Sequence, residues 1–288
     1  IIRPAQPLDD LVDVEGRVED DAAIAHRPEE GGHDGIVARG ERRGMDREAS
    51  AHGYLLLLSN LHSGNTQSAN ALRMMRGRVD GLIVMAPHLS DEEVAATLPT
   101  GAPAVLINSR GPDGIHLDNA TGARLVAEHF LALGRKRIVH IAGAIGNIDA
   151  QERAEAFGDA LAGSGAELEI VQGDFTEGSG DKAIRSLLDS GAGFDAIFAA
   201  NDMMASGALQ ALRRAGLSVP EDIAVAGFDD VPLASHIGLT TVRVRIAELG
   251  ERAIDRLIDI LSGEQDPGGQ ELHRPELVIR STSDSKAT

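Results

Sequence analysis

The sequence predicts an α/β protein in which parallel sheets are covered by helices on both faces. Three observations predict it. Short apolar runs recur between turn formers without clean alternation, as strands buried on both faces do. Amphipathic segments of helical period lie between these runs. The alternation stops near residue 239, and a helix and a strand then follow on their own, so the chain is expected to cross back between two domains.

In chain order, strands are expected at 53–59 (GYLLLLS), 81–87 (GLIVMAP), 102–107, 137–142, 168–171, 194–199 and 223–227. Helices are expected at 66–77, 90–98, 120–134, 151–164, 180–190 and 203–216. The segment 120–134 illustrates the signal: Leu125, Val126, Phe130, Leu131 and Leu133 form an apolar stripe, and Gly134 stops it. Residues 239–244 then read as a strand or extended connector, 246–261 as an amphipathic helix and 276–280 as a late strand.

Residues 1–43 differ from the rest. They carry 11 acidic and 6 basic side chains in clusters, with little periodicity. Two readings of this atypical acidic arm stand open. It is a disordered segment, as its composition suggests, or it is the product of another reading frame, since Arg-, Gly- and Ala-rich sequence points to a GC-rich gene.

Composition excludes several functions. The formal charge of −18 opposes unaided binding to DNA phosphates or anionic lipid. Zero cysteines exclude disulfides, thiolate metal sites and a cysteine nucleophile. No run of about 18 apolar residues suits a membrane span. The first residues lack the pattern of a signal peptide, so a cytoplasmic protein is expected. No phosphate-binding, dinucleotide-binding or hydrolase motif occurs. The ten histidines show no zinc spacing, so neither a cofactor, a metal nor a catalytic residue is expected.

The informative polar residues follow strand ends, where open α/β sheets bind ligands. Asp149 and Arg153 follow 137–142, Asn201 and Asp202 follow 194–199, and Asp229 and Asp230 follow 223–227. Such side chains suit a polyhydroxylated ligand, because carboxylates accept from hydroxyls, arginine donates and asparagine does both. Helix capping is the competing role for Asn201 or Asp202. With seven aromatic residues in the chain, Phe228, beside Asp229, is the best placed to stack on a sugar ring.

Together these segments resemble the effector-binding core of the LacI/GalR family of bacterial transcription regulators. The resemblance rests on GYLLLLSN (53–60), RVDGLIV (78–84), HLDNATGARLVAEHFLALGRKRIVHIAG (116–143), QERAEAF (151–157), AIFAANDMMASGALQALRRAGLSVPEDIAVAGFDD (196–230), LTTVR (239–243), AELGERAIDRL (247–257) and ELVIRSTS (276–283). It implies two similar doubly wound parallel-sheet subdomains of the type I periplasmic-binding-protein kind, with a ligand cleft between them. Crossings are expected near Asp118, Arg243 and Leu272. Residues 44–118 and 245–271 would form the N-terminal subdomain, and 119–244 and 272–288 the C-terminal one.

The resemblance also implies a small sugar-like effector, with Arg153, Asn201 and Asp229 at the family's ligand-contacting positions and Asp149 and Phe228 as weaker candidates. It implies a homodimer, for which Leu72, Met74 and Met75 on 66–77 offer apolar positions. DNA would be reached only through a helix-turn-helix, and no such pattern is present here. Two alternatives stay open: a solute-binding protein of a transporter, and a degenerate regulator fragment. Ala156 stands where the family usually has glycine.

Overall fold

The computed structural model describes residues 2–4, 45–56, 79–85, 91–98, 101–109, 111, 113–264 and 268–286. Strand β1 (Ile2–Pro4) is the part of the acidic arm that is described. It pairs antiparallel with β2 (Tyr54–Leu56), which follows helix α1 (residues 45–51). The rest of the arm and the helix expected at 66–77, with its apolar positions, lie outside the described residues. The run at 53–59 was expected to be buried on both faces in a parallel sheet. Instead, among the described residues, β2 pairs only with β1, Tyr54 and Leu56 pack on the core, and Leu55 is 57% exposed.

Strands β3 (Leu82–Met85), β4 (Ala104–Ile107) and β5 (Gly114–Leu117) follow, with helix α2 (Asp91–Thr97) between the first two. Then come α3 (Asn119–Ala132), β6 (Arg137–Ala142), α4 (Ile148–Leu161), β7 (Glu167–Gln172), α5 (Glu177–Ser190), β8 (Ala196–Ala199), α6 (Asp202–Arg214) and β9 (Ala224–Asp229). The chain closes with α7 (Pro232–His236), β10 (Thr240–Arg243), α8 (Ile246–Ser262), β11 (Glu271–His273) and β12 (Glu276–Val278).

Two sheets organise these elements. The smaller, in the order β11-β5-β4-β3, is parallel throughout. The larger, in the order β12-β10-β9-β8-β6-β7, is parallel except for β12. Both of its faces are covered. Ile184, Leu187, Met204 and Leu212 of α5 and α6 pack on one, and Val126, Phe130, Phe157 and Leu161 of α3 and α4 on the other. This double burial is why the strands read as apolar runs. α5 and α6 approach so closely that a methyl on Gly180 would overlap the Met204 carbonyl, and one on Gly207 that of Glu177. In the smaller sheet, Leu249, Ile254 and Leu257 of α8 cover Val105 and Ile115.

The chain passes between the sheets three times. It crosses at Asp118, between β5 and α3, and at Val244–Arg245, between β10 and α8. The third crossing is at Arg274–Pro275, two residues beyond the expected Leu272, because Glu271–His273 pairs in register with Ile115–Leu117 of the smaller sheet. The crossings are laced together. Asp118 caps α3 by accepting from the Thr121 amide, and its own amide donates to the His273 carbonyl. His273 Nε2 lies 2.6 Å from the Val244 carbonyl.

Candidate functional site

In the larger sheet, β7 lies on one side of β6 and β8 on the other, so the strand order reverses between β6 and β8. A crevice at such a reversal, beyond the strand C-termini, is where open α/β sheets hold ligands. The turns after β6, β8 and β9 carry Asp149 and Arg153, Asn201, and Asp229 to this end of the sheet.

Arg153, on α4, is 5% exposed. Its Nε donates to Asn119 Oδ1 at 2.8 Å and its Nη1 to the Ala200 carbonyl at 2.6 Å. Asp229 Oδ1 lies 3.8 Å from Nη1, and the guanidinium carbon stands 3.8 Å from the Phe228 ring centroid. Asp149, one turn earlier, accepts from Asn119 Nδ2 at 2.7 Å and from Asn108 Nδ2 at 3.1 Å. Arg153, Asp149, Asp229 and Phe228 are thus brought into one cluster.

Two expectations change in detail. Phe228 is fully buried, its ring against Gly122 and under the Arg153 guanidinium, so it is not an open stacking platform. Its π face attracts the Arg153 guanidinium. Asn201 is fully buried and spends its amide on the scaffold: Oδ1 caps α6 at the Met204 amide, 2.9 Å, and Nδ2 donates to the Phe175 carbonyl, 3.0 Å. It thereby fixes the Phe175 loop.

The structure adds residues that sequence reasoning missed. Asn119, fully buried, joins Arg153, Asp149 and Glu152 Oε2, the last at 3.2 Å. Asn108 reaches Asp149 from the other sheet, and its Oδ1 is buried with no partner among the described residues. His116 Nε2, also from that sheet, lies 3.5 Å from Glu152 Oε2. Phe175, partly buried with φ 70°, sits beside Gly143 at the same strand ends. Each follows a strand end or lies within a strand of the smaller sheet, so the rule that picked Asp229, a polar residue at a strand end, would have found Asn108 as well.

Asp202 lies beneath the cluster. It accepts from the Val231 amide at 2.9 Å and from Thr241 Oγ1 at 2.5 Å, and only a glycine at 227 leaves room for its carboxyl. Burial, reinforced by the charge of Asp229, pushes its pKa well above the usual carboxylate range. His140 in β6 stacks on Phe198 with ring centroids 4.8 Å apart, its Nδ1 3.0 Å from the Phe198 carbonyl. Burial lowers its pKa to about 4, so it is neutral at physiological pH.

Elsewhere, His129 Nε2 meets Ser283 Oγ at 2.8 Å, but Ser283 is 2% exposed and bonded to Thr240, which makes the pair a structural link. Glu48 on α1, His52 just after it and Asp255 on α8 bring three donor atoms within 4.8 Å of one another and share no residue with the cluster. Among the described residues no helix is long and apolar enough to cross a membrane.

Residues 127–283 match the family model of the periplasmic binding protein-like domain. The HTH-type transcriptional repressor CytR of Escherichia coli K12 is 31% identical over 251 residues, covering 84% of this chain and 74% of that protein. A cellobiose complex of the transcriptional regulator CelR superposes with a TM-score of 0.77 at 30% identity, covering 86% of this chain and 79% of that one. A dimeric lac repressor with a C-terminal deletion superposes with a TM-score of 0.80 at 29% identity, covering 86% and 94%.

Proposed function

Because this chain belongs to the LacI/GalR family of bacterial transcription regulators and carries its effector-binding core, we propose that a small polyhydroxylated effector, a sugar or a related metabolite, binds between the two sheets. Asp149, Arg153 and Asp229 contact it directly, Asn201 holds the Phe175 loop beside it, and Phe228 backs the arginine. The observation that carries this reading is the convergence of three charged, nearly buried side chains from two different strand ends, faced by Asn108 and His116 of the other sheet. Carboxylate and amide oxygens accept from ligand hydroxyls, and Arg153 fixes the orientation of the acceptors. The cellobiose bound by CelR supports a sugar.

Calorimetric titration with ribose, cellobiose, adenosine and cytidine tests the reading. A cleft ligand stabilises by mass action, so a thermal-shift screen identifies the binder first. Asp229→Asn is expected to weaken that binder by about 10–100-fold, the worth of one charged hydrogen bond, and also to lower the melting temperature, because it removes one partner of the buried pair with Arg153. Unchanged affinity would remove Asp229 from the site.

The role is binding, without turnover or cofactor, and as a transcription regulator the protein acts in the cytoplasm. DNA is read by a helix-turn-helix distinct from this core, whose charge opposes phosphate. The dimeric lac repressor supports self-association. Light scattering at tens of micromolar is expected to give a dimer, and a monomer there would overturn that part of the reading.

A further inference from the structure

Asp229, the last residue of β9, and Asp230, the residue after it, both adopt positive φ, 103° and 55°. Two consecutive non-glycine residues in this region are strained, and such geometry persists only where the surroundings over-determine it. The surroundings here are specific. The Asp230 carboxylate, 8% exposed, takes Arg243 Nε at 2.6 Å on one oxygen and Arg280 Nη2 at 2.7 Å on the other. Arg243 ends β10, at the mouth of the second crossing. Arg280 lies just beyond β12, on the strand that returns from the third. Glu276, the first residue of β12, joins Arg243 at 3.0 Å and Arg245, inside the second crossing, at 3.2 Å. Arg280 Nη1 also donates to the Leu239 carbonyl at 2.7 Å, so its fork is fixed independently of Asp230.

The two aspartates therefore do different work. Asp229 faces Arg153 in the effector cluster, while Asp230 faces away, into a pair of arginines that belong to both C-terminal crossings. We propose that Asp230 is a positioning residue: its clamp by Arg243 and Arg280 holds the strained turn that presents Asp229 to the effector, and ties that turn to the two crossings that join the sheets. The effector half of this statement rests on the function proposed above. The clamp itself rests only on the free chain. Its chemistry is that of charge-assisted hydrogen bonds to two fixed guanidinium forks, which an amide in place of the carboxylate supports on one side only. Loosening the clamp lets residue 230 leave the left-handed region, and Asp229, its neighbour, turns with it.

A double-mutant cycle tests this on Asp230→Asn, Arg280→Gln and the pair of them. In the full-length chain without ligand, hydrogen exchange is expected to speed up at the amides of 229–231 and, in the same variants, at 244, 245, 274 and 276, while α3 and α4 stay protected. Exchange that rises at the turn alone, or everywhere equally, overturns the link to the crossings. Affinity for the binder found among ribose, cellobiose, adenosine and cytidine is expected to fall roughly tenfold in each single variant, and no further in the double. Losses that add, or affinity within twofold of wild type with only the melting temperature lowered, reduce Asp230 to a structural salt bridge. If none of the four probes binds the wild type, the proposed effector class fails on that panel, and the exchange pattern still decides the clamp.

Discussion

Replacing Arg153 by alanine is expected to cost about 3–5 kcal/mol of folding stability, the usual result of removing one partner of a buried ion pair. The sequence alone offered Arg153 only as a ligand contact. The structure changes that expectation, because the guanidinium also serves Asn119, the Ala200 carbonyl and the Phe228 face in a site 5% exposed. Truncation strands Asn119 Oδ1 and the Ala200 carbonyl and leaves Asp229 without its cation. Such a loss is a large part of the 5–15 kcal/mol of a typical domain. Arg153→Gln, which keeps an amide donor for one of these acceptors, is expected to fall between wild type and Arg153→Ala. Urea unfolding measures both, and a loss under 1 kcal/mol for the alanine variant would contradict the assigned network.

The second large effect is a pH dependence with two opposed origins. His140 has a folded pKa of about 4 against an ordinary 6.5. Between those values the unfolded chain binds a proton that the native chain refuses, so stability falls as pH drops through this window, by about 3 kcal/mol in full. Asp202 behaves in the opposite sense. Its folded pKa is raised, so the native chain keeps a proton that the unfolded chain has released, and that contribution is lost as pH rises. His140→Gln, which keeps a donor for the Phe198 carbonyl, is expected to flatten the acid limb of the stability curve. Asp202→Asn is expected to raise stability on the neutral and alkaline side, and to leave the acid limb unchanged. Melting temperatures from pH 4.5 to 8.5 check both, and an unaltered acid limb in His140→Gln would sink the first assignment.

The parts of the fold that sequence revealed are those whose apolar residues form a sustained pattern. The run expected at 137–142 is β6 residue for residue, and the helix expected at 246–261 is α8 to within one residue. What it hid is explained by exposure and length. β11 is Glu-Leu-His, with Leu272 49% exposed, and carries no apolar signature; its register comes wholly from β5. β5 itself is four residues that open on Gly114, where a Cβ would overlap the Ser109 carbonyl. Since β5 passed unseen, Asn119, two residues after it, could not be recognised as a strand-end residue. The candidate site was legible where a strand was legible, at Arg153, Asp149 and Asp229. Whether Phe228 and Asn201 faced the crevice or the scaffold depended on which neighbours their side chains met, and that information is tertiary.

The three crossings also impose an order on how this molecule comes off the ribosome. Residues 119–243 supply α3 to α7 and five of the six strands of the larger sheet from one uninterrupted segment. The smaller sheet has to wait for α8 and for β11, which arrive about 130 and about 155 residues after β5. Domains fold as units and as early as their sequence allows during synthesis. The half of the crevice bearing Arg153 and Asp229 therefore matures first, and the half bearing Asn108 closes onto a template that lacks only β12.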